Sequence, residues 1–360
     1  MFPERFLQQH DLDPWLTALS RERRVLVPTR EGGTLVFRPF ANGVSPVLSA
    51  DTTTSPKAVV FPSYQELFRF EQKKDPEEPE HLTMQLKPSI EAESTVLFGA
   101  RPCGARGFTV FDRVYRGDRF PDPYYQAARE QTLVVTLTCD HPESTCFCHW
   151  VGGGPDDPTG SDVLATVVEG GYFLEAVTER GALLLAHPLL SEDPSKAREA
   201  AAKRADVRRH LDQAIELGGI SSGFLELFDD YGFWEEVSAK CLSCGACTYL
   251  CPTCYCFTIT DEGGGLTGKR LRSWDTCMSF QFTLEASGHN PRPTKAHRLR
   301  NRVGHKFSYY PALHDGLFAC CGCGRCIKYC PASVDLREIV CKVVDRTGNR
   351  GEVPHDQYAQ

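Results

Sequence analysis

The stretch that decides the reading is Ala239–Phe257, AKCLSCGACTYLCPTCYCF, with six cysteines in nineteen residues. Four chemistries concentrate thiols in this way: disulfides, a zinc site, redox dithiols and iron–sulfur clusters. Spacing separates them. Cys241, Cys244, Cys247 and Cys251 follow C-x2-C-x2-C-x3-C, and Pro252 comes next. The same run recurs at Cys320, Cys323, Cys326 and Cys330, followed by Pro331. Bacterial-type ferredoxins bind [4Fe–4S] clusters with this spacing. Three thiolates two residues apart let a tight loop wrap one side of a cubane, and the longer gap sends the fourth elsewhere. Gly245 and Gly324 fall between ligands, where backbone must come close. Structural zinc favours C-x2-C pairs a dozen or more residues apart, and redox C-x-x-C thiols need no matching quartets.

In two-cluster ferredoxins the fourth cysteine of each run ligates the other cluster. The expected sets are therefore Cys241, Cys244, Cys247 and Cys330 for one cluster, and Cys320, Cys323, Cys326 and Cys251 for the other. This holds if the segment between the motifs loops out and lets them pair.

Bulk properties agree with this reading. The 360 residues include 17 cysteines, an odd number. The start, MFPERFLQQHDLDPW, is charged, with no apolar leader. Disulfide frameworks belong to small secreted chains, so a reducing, cytoplasmic location is expected. A net charge of −7 argues against a nucleic-acid partner. No apolar run approaches the roughly 20 residues that span a bilayer, so no membrane partner is expected.

The fold class expected is α+β: an N-terminal α/β domain, then a mostly helical, extended, ferredoxin-like dicluster domain. RVLVP and TLVF read as strands around REGG. STVLFGARPCGARGFTVFDRVY reads as strand, turn and helix, and TLVVTLTCD as a strand. Phe2 to Leu19 shows helical spacing, and GYFLEAVTERGALLLA reads as a hairpin turning at ERG. Asp193–Leu217 reads as a long polar helix. The expected domains are 1–190, a helical connector 191–227, the dicluster domain 228–341 with a basic insert 257–319, and a polar tail 342–360.

Nine cysteines lie outside the motif positions. Cys103 and Cys139 follow expected strands, and Cys146 and Cys148 form CFC in the next loop. Strand ends in an α/β layer converge, and four thiolates suit a third [4Fe–4S] cluster; the alternative is buried thiols. Cys254, Cys256 and Cys277 could line a cluster or hydrogen-bond to one, or pack as small apolar residues. Cys321 and Cys341 read as structural.

The segment GHNPRPTKAHRLRNRVGHKFSYYP carries Arg292, Lys295, Arg298, Arg300, Arg302 and Lys306 in an acidic protein. Cations near a reduced cubane stabilise it, partner docking is a second use, and a solvated helix face is the bland reading. No flavin, nicotinamide or hydrolase motif stands out, and no catalytic residue is assigned.

Several stretches together resemble the β subunits of soluble cytoplasmic [NiFe] hydrogenases of the sulfhydrogenase type and the corresponding iron–sulfur subunit of anaerobic sulfite reductase. They are RPCGARGF, DPYYQAARE, CFC, FWEEVSAKCLSCGACTYLCPTCYCF, SWDTC, the basic segment and CGCGRCIKYCP. The resemblance implies an electron-transfer subunit with two ferredoxin-like clusters, in a complex with a flavin- and NAD(P)-binding reductase subunit. The catalytic partner would be the small and large subunits of a [NiFe] hydrogenase, or a sirohaem sulfite reductase. Cys103, Cys139, Cys146 and Cys148 also match family cysteines. Gly104 stands where Asp often follows RPC, AARE replaces a more basic RRE, and Cys321 adds a thiol beside Cys320. The competing readings are an iron–sulfur enzyme with its own active site and a zinc-bearing interaction module.

Overall fold

The computed structural model describes residues 2–41, 43–78, 80–117 and 120–348. A seven-stranded sheet organises the N-terminal half. Its strands are β1 (Glu4–Gln8), β2 (Arg24–Glu31), β3 (Thr34–Pro39), β6 (Thr95–Ala100), β7 (Thr132–Leu137), β8 (Val163–Val168) and β9 (Gly171–Ala176), in the order β1-β9-β8-β7-β6-β2-β3. The intervening β4 (Tyr64–Lys74) and β5 (Leu82–Pro88) belong to a second sheet. The β2-β6-β7-β8 pairs run parallel and the rest antiparallel. Every residue of β6 and β7 is buried, as expected of parallel strands covered on both faces.

Side-chain alternation sorts these strands between two cores. Val25, Val27, Val96 and Phe98 face the Leu12–Ser20 helix through Trp15 and Leu16. Leu26, Leu97 and Val134 face Phe108, Phe111 and Tyr115 of the Pro102–Tyr115 helix. A third core holds the C-terminal helices, with Phe224, Trp234, Val303, Phe307, Val340 and Val343 at its centre.

The second sheet joins distant parts of the chain. The hairpin β10 (Phe257–Gly264) and β11 (Thr267–Trp274) pairs with β4 and β5 in the order β10-β11-β4-β5. Strands from 64–88 and from the segment between the two cysteine motifs thus form one ladder.

The molecule is α+β, and several local expectations are corrected. The region 2–19 is not one helix: Glu4–Gln8 is a strand paired with β9, and the helix begins at Leu12. The hairpin is β8–β9, turning at Glu169 and Gly170, whereas ERG opens a helix, Glu179–Leu184. Thr178 caps that helix by accepting from Gly181 N at 3.1 Å. The polar helix spans Pro194–Arg209, and Ala200 packs beneath it against Phe6 and Phe173. Of the expected tail, 342–347 continue the Leu336–Thr347 helix; residues 349–360 lie outside the described residues.

Candidate metal centre

Each cysteine motif is a loop ending in a single helical turn. Gly245 and Gly324 sit at φ +78° and +71° before the turns Ala246–Tyr249 and Arg325–Lys328. Both positions also lack room. A Cβ on Gly245 would lie 2.9 Å from Thr276, and one on Gly324 2.4 Å from the carbonyl oxygen of Thr145. The two turns pack on each other.

This packing crosses the motifs. One cavity is lined by Cys241, Cys244 and Cys247 of the first motif and by Cys326 and Cys330 of the second. Cys251, the remaining thiol of the first motif, faces Cys320, Cys323 and Cys326. Burial pushes the Cys320 thiol up to about 12, whereas a hydrogen bond from Cys321 holds Cys323 down at about 7. A metal that takes these thiols as thiolates must displace protons.

The N-terminal cysteines gather beside the second motif. Cys103 opens the helix after β6, and Cys139 ends the segment after β7, at the carboxyl ends of adjacent parallel strands. Cys103, Cys139 and Cys146 line a second cavity together with Cys323. Cys148 lies beside Cys146 and faces Cys139 and Cys323. Burial pushes Cys146 to about 12 and Cys148 to about 11. The CFC loop is clamped to the second motif: Phe147 N donates to Gly322 O at 2.8 Å, and a Cβ on Gly322 would fall 2.4 Å from Cys148 N.

Most cations of the basic segment are buried, and two reach motif sulfur. Arg302 Nε donates to Cys247 Sγ at 3.0 Å. Lys306 Nζ reaches Cys251 Sγ at 3.4 Å, Thr253 Oγ1 at 2.9 Å and Ala319 O at 2.8 Å. Arg298 and Arg300 instead cap backbone carbonyls, including Pro293 O at 3.0 Å and Phe228 O at 2.7 Å. The helix Lys295–Gly304 is therefore not a solvated face.

Sequence reasoning missed the polar lining of the second cavity. Arg101 donates to Thr138 O at 2.7 Å, and Arg325 pairs with Asp51 at 2.5 Å. It also missed Lys57, a single lysine in SPKAVVF, which is buried against the segment after Cys251. Nothing local in the sequence marks these residues. The Gly104 departure has a cause here: a Cβ at Gly104 would lie 2.9 Å from the ring of Pro56, so Asp does not fit without moving that turn.

A family model described as a 4Fe-4S dicluster domain matches residues 240–334, which contain both motifs. The chain is 30% identical over 255 residues to sulfhydrogenase 2 subunit beta of Pyrococcus furiosus, covering 69% of this chain and 73% of that relative. The chain belongs to the sulfhydrogenase β-subunit family. No solved structure matches it. As a sulfhydrogenase β-type subunit it is an iron–sulfur, electron-transfer protein that carries [4Fe–4S] chemistry and works beside other subunits. Among the described residues, no helix is long and apolar enough to cross a membrane.

The donor set of this β-type subunit fits that chemistry. None of the seventeen cysteines forms a disulfide, and soft thiolates select iron–sulfur clusters. The buried cations Arg302 and Lys306 supply counter-charge where the thiols converge.

Proposed function

We propose that the chain relays electrons between the small and large subunits of a [NiFe] hydrogenase on one side and a flavin- and NAD(P)-binding reductase subunit on the other. Two [4Fe–4S] clusters are held by Cys241, Cys244, Cys247 and Cys330, and by Cys320, Cys323, Cys326 and Cys251. A third is held by Cys103, Cys139, Cys146 and Cys148. Each cluster would supply one-electron transfer, and the protein sets its potential through burial, charge and hydrogen bonds to sulfur.

The observation that carries this reading is the exchange of fourth cysteines. Cys330 shares a cavity with the first motif, and Cys251 faces the second. The second motif touches both neighbours, because Cys326 lines one cavity and Cys323 the other. That arrangement supports a relay with the Cys320 set in the middle. The third set falls in 1–190 and the two quartets in 228–341, with 191–227 as the connector between them.

The test is anaerobic purification of the chain with its co-purifying subunits, with iron and sulfide counted per chain. Cys244→Ser, Cys323→Ser and Cys139→Ser are each expected to lose the iron of one cluster. Flavin-bearing and nickel-bearing subunits are expected alongside. Zinc in place of iron, or full iron in all three variants, would sink the ligand sets. A sirohaem partner would replace the hydrogenase half with sulfite reduction.

A further inference from the structure

Arg325 lies between Cys323 and Cys326 in sequence, yet its side chain leaves the second motif. The turn Arg325–Lys328 is seated on the N-terminal half at Gly324, where a Cβ would lie 2.4 Å from the carbonyl oxygen of Thr145. From there the guanidinium enters the second cavity, whose lining it shares with Cys103, Cys139 and Cys146. A segment between β3 and the turn Pro56–Val59 receives it. Nε donates to Thr52 O at 3.0 Å, and Nη2 donates to Asp51 Oδ1 at 2.5 Å and to Thr52 Oγ1 at 3.3 Å. That segment is itself tied down. Arg101 Nη2 donates to Leu48 O at 2.6 Å, Thr53 N to Leu35 O at 2.7 Å, and Tyr329 Oη to Thr53 Oγ1 at 3.2 Å.

The second observation is the nitrogen left over. Arg325 is 3% exposed, and its buried Nη1 makes no hydrogen bond among the described residues. A buried charged donor without an acceptor is costly, so this atom implies an acceptor that the polypeptide does not supply. The other arginine and lysine on the lining are committed. Arg101 uses Nη1 and Nη2 on Thr138 O and Leu48 O, and Lys328 pairs with Glu143 at 2.6 Å. The Arg325 guanidinium faces Cys323 and Cys103. Sulfur accepts from the same kind of donor in the first motif, where Arg302 Nε meets Cys247 Sγ at 3.0 Å.

We propose that Arg325, although part of the second motif, is a binding residue of the third thiol set: its Nη1 donates to sulfur of the cluster held by Cys103, Cys139, Cys146 and Cys148, and Asp51 fixes it in that position. The inference rests on the third ligand set proposed above. It makes Arg325 the side chain through which the middle and third sets touch, because Cys323 faces the same guanidinium. Asp51 has two effects of opposite kind. Its carboxylate holds the guanidinium in place, and its negative charge faces Cys103 and Cys139.

The test uses the full chain in its native complex, prepared anaerobically. Iron and sulfide are counted, and redox titrations are followed by low-temperature EPR. Cys139→Ser identifies the third set as the iron and the reduced signal that it removes. Arg325→Gln takes away the cation, and the midpoint potential of the Cys139-dependent signal is expected to become more negative. Arg325→Lys should recover part of that shift. Asp51→Asn keeps Oδ1 as an acceptor for Nη2 but removes the negative charge, so the same midpoint should become more positive. A merely structural role for the pair would send Arg325→Gln and Asp51→Asn in the same direction. Should Arg325→Gln fail to load iron, the opposed shifts of Asp51→Asn and Arg325→Lys carry the test. Full iron in Cys139→Ser overturns the third ligand set and this inference with it. Iron lost in Cys139→Ser, together with an unmoved midpoint in Arg325→Gln or shifts of one sign in both charge variants, overturns the role of Arg325 alone.

Discussion

Arg302 donates from Nε to the sulfur of Cys247 at 3.0 Å and from Nη2 to the carbonyl of the same residue at 2.7 Å. Arg302 is 4% exposed, so water screens the contact poorly. A charge-assisted hydrogen bond contributes about 1.5–3 kcal/mol. Part of that favours the more negative, reduced state, and about 30 mV is ~1.4 kcal/mol in a two-electron couple or about 59 mV in a one-electron couple. Arg302→Gln should therefore make the potential of the cluster proposed at Cys247 more negative by on the order of 50–100 mV. Redox titration followed by EPR checks this, and Arg302→Lys should recover part of the shift.

Lys306 has three acceptors and is 2% exposed. Lys306→Met removes the cation and takes a donor from Thr253 Oγ1 and the Cys251 sulfur, whereas Ala319 O keeps the one from Thr253 Oγ1 at 2.8 Å. Breaking a buried pair costs about 3–5 kcal/mol. Loss of cluster absorbance in urea should move to a clearly lower midpoint, and the effect should exceed that of Arg302→Lys.

Gly322 ties the second motif to the N-terminal cysteines. Its φ is +62°, and a Cβ there would lie 2.4 Å from Cys148 N and 2.5 Å from Cys148 Cα, both backbone atoms that cannot swing away. Gly322→Ala should disturb two thiol sets at once. Iron content is expected to fall by more than one cluster, whereas Gly288→Ala, at an open turn, should leave it unchanged apart from modest strain at φ +83°.

His305 provides a pH test on a buried imidazole. Burial, with Lys306 and Arg302 nearby, lowers it to about 4 from an ordinary 6.5, and Tyr255 Oη lies 3.0 Å from its Nε2. Because the folded pKa is depressed, the unfolded chain binds the extra proton first. Stability is full above about pH 6.5 and falls as the pH drops toward about 4. The single-group loss between pH 7 and pH 5 is about 2 kcal/mol. In urea unfolding, His305→Phe should lose less stability than the wild type over that interval.

Much of the candidate site was readable because cluster ligation is local. The spacing of Cys241, Cys244 and Cys247, with a glycine at positive φ and a proline after the fourth cysteine, is written in consecutive residues. β6 and β7 were readable for a similar reason: strands buried on both faces are apolar throughout. What stayed hidden is long-range. Phe6 and Leu7 fit helical spacing, and only pairing with β9 makes them a strand. The apolar run after ERG became a helix because Thr178 caps it. The cations of the basic segment could be counted, but their burial depends on which sulfur each one meets. Lys57 and Cys254 lie far apart in sequence, and the proline-led turn Pro56–Val59 brings Lys57 Nζ to Cys254 O.

The β10-β11-β4-β5 ladder bears on how the molecule is made. On the ribosome, β4 and β5 emerge early, and β4 has an unsatisfied edge until translation has passed Trp274. The N-terminal half cannot finish folding before that point. A nascent chain stalled ahead of the hairpin would present β4 as an open edge to its neighbours, which is a route to aggregation. The second cysteine motif, Cys320–Cys330, is synthesised only after the strands of this sheet are complete.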